Sequence, residues 1–404
     1  MRSGFVRSLS LFSVSVCLSA CAADETSAPL EPSDDIAALA VAPQLHFLRT
    51  VDFVAVSPTD PGPQLVAPGA PVPAFTPDPL LAPYERPTDG NFGVMYVDYA
   101  QHAEYVATYD AAAVHLAGTE MAKRGLNGAS GGDDGLGRPR GISNAIDNRI
   151  SFQNYAVNHS TLRRIGQISS AAGGCTGTMI GPRVVLTAAH CIFASGVYQS
   201  AVQFSARRNG SVFPYGTVTS QGVLYPIAFK NDNCHNNYTG SCVKNDWAVL
   251  ILPSNAFASS PNGNPGYLGL AWAGDSTLAT YDVRNVGYPA CGSATSPPGC
   301  VSGVAFGDLS CTNAAPQVDS PDDRWPLYGD NGQLIDGCDT NAGHSGGPIY
   351  SYTPGSNGPY VVGNTDWNYC NVNSCTPTTE YSSSGARINH TLFDYFMNLR
   401  IQYP

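Results

Sequence analysis

From about Ile150 onward, apolar residues come in short runs broken by Gly, Pro, Asn and Ser. The runs are Arg164-Ile165-Gly166-Gln167-Ile168, Cys175 to Ile180, Arg183 to Leu186, Val223-Leu224-Tyr225, Trp247 to Leu252, Thr280 to Val286 and Val361-Val362. Runs of this length between turn residues predict β-strands, and without alternating helical segments they predict an all-β barrel or sandwich. The chain closes differently. Leu392, Phe393, Phe396, Met397 and Leu399 recur at helical spacing between His390 and Ile401, which predicts one amphipathic helix with its aromatics packed in the core. Upstream of Ile150 the apolar signal is intermittent: His46-Phe47-Leu48, Val51 to Val56, Met95-Tyr96-Val97, and a helix-compatible stretch from Ala111 to Lys123. This upstream part is either a small pro-domain or a piece that packs on the strand-rich region downstream.

Length makes that upstream part a question to answer, since 404 residues exceed one ordinary domain. Arg2 and Arg7 precede an apolar stretch from Leu9 to Leu18 and then small residues, the pattern of a secretory signal peptide. Leu18-Ser19-Ala20-Cys21 resembles a bacterial lipobox, so lipidation at Cys21 is expected, against ordinary cleavage after the small residues. Ten prolines fall between Pro58 and Pro87, where little regular structure is expected. Gly125 to Gly141, rich in Gly and Asp with Arg138 and Arg140 near its end, reads as an exposed processing linker. The organisation is therefore a signal peptide with lipobox over 1–21, a propeptide or N-terminal extension over 22–145 with a Pro-rich linker at 57–88, and one domain over 146–404.

Charge and cysteines set the compartment. Only 13% of residues are charged and the formal net charge is −11, so a nucleic acid partner is not expected. After the signal region come ten cysteines: Cys175, Cys191, Cys234, Cys242, Cys291, Cys300, Cys311, Cys338, Cys370 and Cys375. An even number in an exported chain suggests five disulfides. Pairing neighbours gives compact loops, Cys175 with Cys191, Cys234 with Cys242, Cys291 with Cys300 and Cys370 with Cys375, leaving Cys311 with Cys338. No HExxH and no repeated CxxC is present, so no metal is expected.

Three strings carry chemistry: Thr187-Ala188-Ala189-His190-Cys191, Asn245-Asp246-Trp247-Ala248-Val249-Leu250 and Gly343-His344-Ser345-Gly346-Gly347-Pro348. An alcohol is a poor nucleophile at neutral pH. It needs an imidazole to take its proton, and the imidazole needs a carboxylate to fix its tautomer. His190, Asp246 and Ser345 suit the roles of base, orienting carboxylate and nucleophile. The amides of Gly343 and Ser345 suit an oxyanion hole in a tight turn that a larger residue at 343 would obstruct.

The order His, Asp, Ser is that of chymotrypsin-type serine proteases. Within it, the chain resembles the bacterial glutamyl endopeptidase branch. The resemblance rests on Ile146-Asp147-Asn148-Arg149, Cys175-Thr176-Gly177-Thr178-Met179-Ile180-Gly181-Pro182, Val286-Gly287-Tyr288-Pro289, Asp339-Thr340 and Gly385-Ala386-Arg387-Ile388. It covers roughly residues 146 to 401. The resemblance implies two packed antiparallel six-stranded β-barrels with a C-terminal helix, preceded here by a partly disordered leader. His190 and Asp246 would come from the first barrel and Ser345 from the second. It also implies an exported serine endopeptidase acting on protein or peptide substrates through an acyl-enzyme, with no cofactor, as a monomer and with a possible lipid anchor.

Against that family pattern, His344 stands where digestive members carry an aspartate that receives the new N-terminus. Arg149-Ile150 therefore cannot serve a trypsinogen-type switch in the same way, and processing between about Arg138 and Arg149 is expected. The substrate pocket would be lined by Asp339, Thr340, Thr365, Asp366 and Trp367. Asp339 suits a basic substrate side chain. Gly363-Asn364-Thr365-Asp366-Trp367-Asn368 lacks the histidine with which glutamyl members bind a carboxylate, so acidic and basic preferences both stay open. Two other functions share this sequence: a surface-tethered binding protein without catalysis, and an esterase-like hydrolase.

Overall fold

A computed structural model describes residues 34–53, 76–84, 90–125, 147–170, 173–194, 196–200, 202–235, 240–292, 296–309, 311, 315–316, 332–353, 358–370 and 381–404. The signal peptide with Cys21, most of the Pro-rich stretch, the processing linker and Cys375 lie outside the described residues.

The class is all-β with a closing helix. Downstream of residue 146, the runs read as strands fold as strands: Ile165–Ser170, Gly173–Gly181, Val184–Thr187, Gly222–Pro226, Ala248–Ile251, Val283–Gly287 and Tyr360–Asn364. Each is bounded by turns. One sheet carries ten strands and is antiparallel throughout. Its last seven run from Gly222–Pro226 through Ala248–Ile251, Val184–Thr187, Gly173–Gly181 and Ile165–Ser170 to Gln203–Ala206 and Val218–Thr219. A six-stranded sheet centred on Pro348–Ser351 and Val283–Gly287, and a four-stranded sheet holding Gln333–Asp336 and Tyr381–Ala386, form the second half. A bridge between Gly363 and Arg387 joins these two.

The first three strands of the large sheet come from the upstream segment: β1 (Gln44–Thr50), β3 (Ala103–Asp110) and β2 (Asn91–Asp98), in that order across the sheet. β2 pairs with Gly222–Pro226 over five residues, Gly222 opposite Asp98 through Pro226 opposite Val94. Alternate residues of a strand point to opposite faces. In β2 both faces are buried, Phe92 and Val94 in one core and Met95 and Val97 in another. β3 repeats this, with Ala107 and Tyr109 on the first side and Val106 on the second. The upstream part therefore packs on the strands downstream of it.

Helix α1 (Ala111–Lys123) follows β3 directly, and its N-terminus is capped by Asp110, whose side chain accepts from the Ala113 amide. It lies against the closing helix α2 (His390–Gln402), which Asn389 caps through the Leu392 amide. α2 differs from an amphipathic surface helix, because every residue from Thr391 to Ile401 is buried. The physical reason is that two layers cover it. The core of the downstream sheets takes one side, and α1 with the segment around Val41 takes the other. Asn398 donates to the Val41 carbonyl at 3.0 Å and accepts from its amide at 2.8 Å. Among the described residues, four disulfides form as neighbouring pairs: Cys175–Cys191, Cys234–Cys242, Cys291–Cys300 and Cys311–Cys338.

Candidate active site

Pairing register brings His190 and Asp246 together. Strand Val184–Thr187 runs into a single turn of helix at Ala189–Cys191, while Asp246 sits two residues before strand Ala248–Ile251. Ala248 lies opposite Thr187, so the two strands end side by side. The Asp246 carboxylate then takes both donors that His190 offers it: the backbone amide at 2.9 Å and Nδ1 at 2.6 Å. Asp246 is completely buried and the His190 side chain is 14% exposed. Two bonds from one carboxylate fix the ring plane and put the proton on Nδ1, which leaves Nε2 as the basic nitrogen. The Cys175–Cys191 disulfide ties the residue after His190 to the neighbouring strand.

Ser345 rides on a turn from the other half of the molecule, and Thr176 holds that turn in place. The Thr176 amide donates to the Ser345 carbonyl at 2.8 Å, and its hydroxyl donates to the Gly343 carbonyl at 2.7 Å while accepting from the Tyr288 amide. Thr176 sits in Gly173–Gly181, the strand next to the one leading to His190. The same clamp therefore ties the Ser345 turn to the strand beside the one that leads to His190. Gly343 (φ +95°) and Gly346 (φ +79°) both occupy the left-handed region. A Cβ on Gly343 would collide with the Tyr288 carbonyl oxygen, and one on Gly346 with Thr187 Oγ1 and the Thr176 carbonyl. Only glycine fits at either place. Among the described residues, no acceptor is bonded to the amides of Gly343 and Ser345.

His344 points away from this cleft. Its ring is fully buried against Gly287, and Nδ1 accepts from the Asn341 amide at 3.3 Å. Burial, with the Arg149 guanidinium nearby, pushes its pKa down to about 3, so it is neutral and structural. Arg149 is also buried. It pairs with Asp147 at 2.7 Å and donates to Asn341 Oδ1 at 2.6 Å, while Ile150 is held in a strand opposite Gly307.

The residues expected to line the pocket are mostly committed inward. Asp339 Oδ2 accepts from the Asn148 amide at 2.7 Å, and burial together with the Asp308 and Asp147 carboxylates raises its pKa to about 6. Thr340 is buried, and Thr365 Oγ1 accepts from Asn285 Nδ2 at 2.7 Å. Asp366 is turned into the protein rather than towards a substrate: its carboxyl accepts from the Ala386 amide at 2.7 Å and from Asn364. Burial first, and then the neighbouring Asp246 charge, raise the Asp366 pKa well above the carboxylate range. That keeps a second negative charge from developing behind Asp246. Trp367 begins strand Trp367–Cys370. Asn364, whose Nδ2 also donates to the Asp246 carbonyl at 3.1 Å, was not singled out by the sequence, and neither was the clamp at Thr176. Each lies inside a string noticed for other reasons, and nothing local marks its partner.

A sequence model of the trypsin family matches residues 153–383, more than half of the chain. The glutamyl endopeptidase of Bacillus licheniformis is 38% identical over 130 residues, 31% of this chain and 36% of that protein. An extracellular metalloprotease of Bacillus subtilis is 25% identical over 181 residues, 44% of this chain and 54% of the relative. The chain thus spans between about a third and about half of the length of these two relatives. Among solved structures, a Glu endopeptidase in complex with MPD aligns with TM-score 0.46 at 18% identity, covering 64% of this chain and 99% of that one. The histidine–aspartate pair on one sheet and the Ser345 turn from the other half both sit inside the matched region, and the chain belongs to the trypsin family.

Proposed function

We propose that this chain is an exported serine endopeptidase, with His190, Asp246 and Ser345 as its catalytic residues. The observation that carries the reading is the Asp246 carboxylate bonded to both the amide and Nδ1 of His190, beside a serine turn registered through Thr176. In the reaction Ser345 Oγ bonds to the substrate carbonyl carbon as His190 Nε2 takes its proton. The oxygen that gains charge is met by the Gly343 and Ser345 amides. His190 then gives the proton to the leaving amine as the C–N bond breaks, which leaves an acyl-enzyme. Water repeats the sequence on the ester and restores Ser345. No step needs a cofactor.

Residues 34–125 belong to the working molecule rather than to a removable leader. Processing falls in the linker ahead of Asp147, because Arg149 at the end of the expected window is buried and bonded. Export is inferred from the signal pattern, and Cys21 is the lipidation residue of a surface-tethered form. The molecule acts as a monomer on protein or peptide chains.

A fluorophosphonate probe should label the folded protein and fail to label Ser345→Ala. The template for this triad sets the drop for Asp246→Asn at about 10⁴ in kcat, through loss of the correct tautomer. Labelled, folded protein that turns over esters but no peptide in a library would replace this reading with an ester hydrolase. Absence of labelling in the folded wild type would replace it with a binding protein.

A further inference from the structure

α1 and α2 cross at close range. A Cβ on Gly118 would collide with the Asp394 carboxyl, so glycine permits the contact. At this crossing His115 of α1 and His390 and Asp394 of α2 present donor atoms that all lie within 4.8 Å of one another. His115 Nδ1 is 2.7 Å from Asp394 Oδ2, and His390 Nε2 is 3.7 Å from the same oxygen. The carboxyl is 3% exposed, while the two imidazoles are 37% and 18% exposed. An ion can therefore arrive from solvent and meet an acid that lies beneath the rings. The His390 ring is held in plane by stacking on Trp272, centroids 4.1 Å apart at 16°, as bound imidazoles are commonly oriented by a neighbour.

We propose that His115, His390 and Asp394 form a site for a divalent cation of the zinc type, which pins the N-terminal segment to the C-terminal helix. A tetrahedral zinc ion holds nitrogen and oxygen donors at about 2.0–2.1 Å, so neighbouring donors sit roughly 3.3 Å apart. The separations of 2.7 and 3.7 Å lie on either side of that figure. Two imidazoles out of three donors select zinc, cobalt or nickel over calcium or magnesium, which take oxygen. Water completes the coordination. Burial raises the Asp394 pKa to about 6, and a cation would remove the cost of ionising it there. The two other groupings of this kind, Cys175 with His190 and Cys191, and Cys311 with Asp336 and Cys338, rely on cysteines that are tied in disulfides and have no thiolate to give. The site stands apart from the catalytic reading and does not depend on it.

The test uses the full chain carrying Ser345→Ala to prevent self-digestion, stripped with chelator and titrated with zinc chloride. The expected result is one equivalent bound by calorimetry, with a rise in Tm that calcium and magnesium do not reproduce, since an ion that binds only the folded state stabilises it by mass action. Cobalt(II) should give the visible bands of a tetrahedral centre. His390→Gln and His115→Gln should each remove the bound equivalent and the cobalt bands. Either imidazole lies partly exposed, so these variants are expected to keep the fold, and circular dichroism checks that they do. Absence of binding to the folded wild type, or binding that survives both substitutions, overturns the proposal and leaves a hydrogen-bonded His–Asp pair.

Discussion

The imidazole of His344 lies next to the nucleophile in the chain and yet takes no part in the cleft, because its ring is turned under the second sheet. Its native pKa of about 3 lies below the value near 6.5 of an unfolded histidine. The unfolded chain therefore takes up a proton that the native state refuses, and this residue's contribution to stability is lost as pH falls from about 6.5 towards 3. Asp339 acts in the opposite sense. Its native pKa of about 6 lies above an ordinary aspartate, so its contribution grows as pH falls from about 6 to 4. Urea unfolding at a series of pH values should show the wild type losing more stability between pH 7 and 4 than His344→Asn. Parallel curves would mean that His344 is protonated in the native state. The sequence marks this residue only as a departure from a digestive-protease pattern. Its burial depends on Gly287 and Arg149, which are distant in the chain, and no spacing rule joins them.

Among the elements, β3 carries a buried carboxylate that ties the upstream segment to the residues downstream. Glu104 is completely buried in the catalytic half, where its carboxylate accepts from the Tyr198 hydroxyl and the Lys230 ammonium and pairs with Arg49 at 3.0 Å. Tyr198 in turn lies 2.5 Å from the Tyr225 hydroxyl. Glu104→Ala leaves Lys230 without its carboxylate, while Arg49 keeps Asp78. Removal of one member of a buried pair costs about 3–5 kcal/mol, and Arg49, at 39% side-chain exposure, draws the expected loss to the lower end, about 3. The midpoint of chemical unfolding reads it, and a loss under about 1 kcal/mol would show that the carboxylate is solvated. Replacing Lys230 by Met in the same chain should recover part of the loss. α1 was legible to the residue, Ala111 to Lys123, because local propensity and the Asp110 cap are enough to define it. α2 was legible as a helix but not as a buried one. Burial on its outer side comes from α1 and Val41, more than 250 positions earlier in the chain.

Taken as one molecule, the ten-stranded sheet runs without interruption from the upstream segment into the catalytic half. A site-specific cleavage sequence placed between residues 126 and 146 tests what that continuity means. After the cut, the two pieces should co-elute on size exclusion and separate only in denaturant, because dissociation would expose both faces of β2 and strip the partners from Glu104. Separation in plain buffer would return the segment to the role of a removable leader. The sequence by itself determined the all-β class, the closing helix and the order of the strings that carry His190, Asp246 and Ser345, and its pairing of neighbouring cysteines matches the four disulfides among the described residues. These rest on periodicity, turn residues and short spacings, which are local. Tertiary structure alone decided that Thr176 registers the serine turn, that Asp366 faces inward behind Asp246, that the upstream strands complete the sheet, and that His115 meets His390. Each of these joins residues far apart along the chain, and such contacts are set by strand register and by which faces must leave water. Neither can be read from one stretch of sequence.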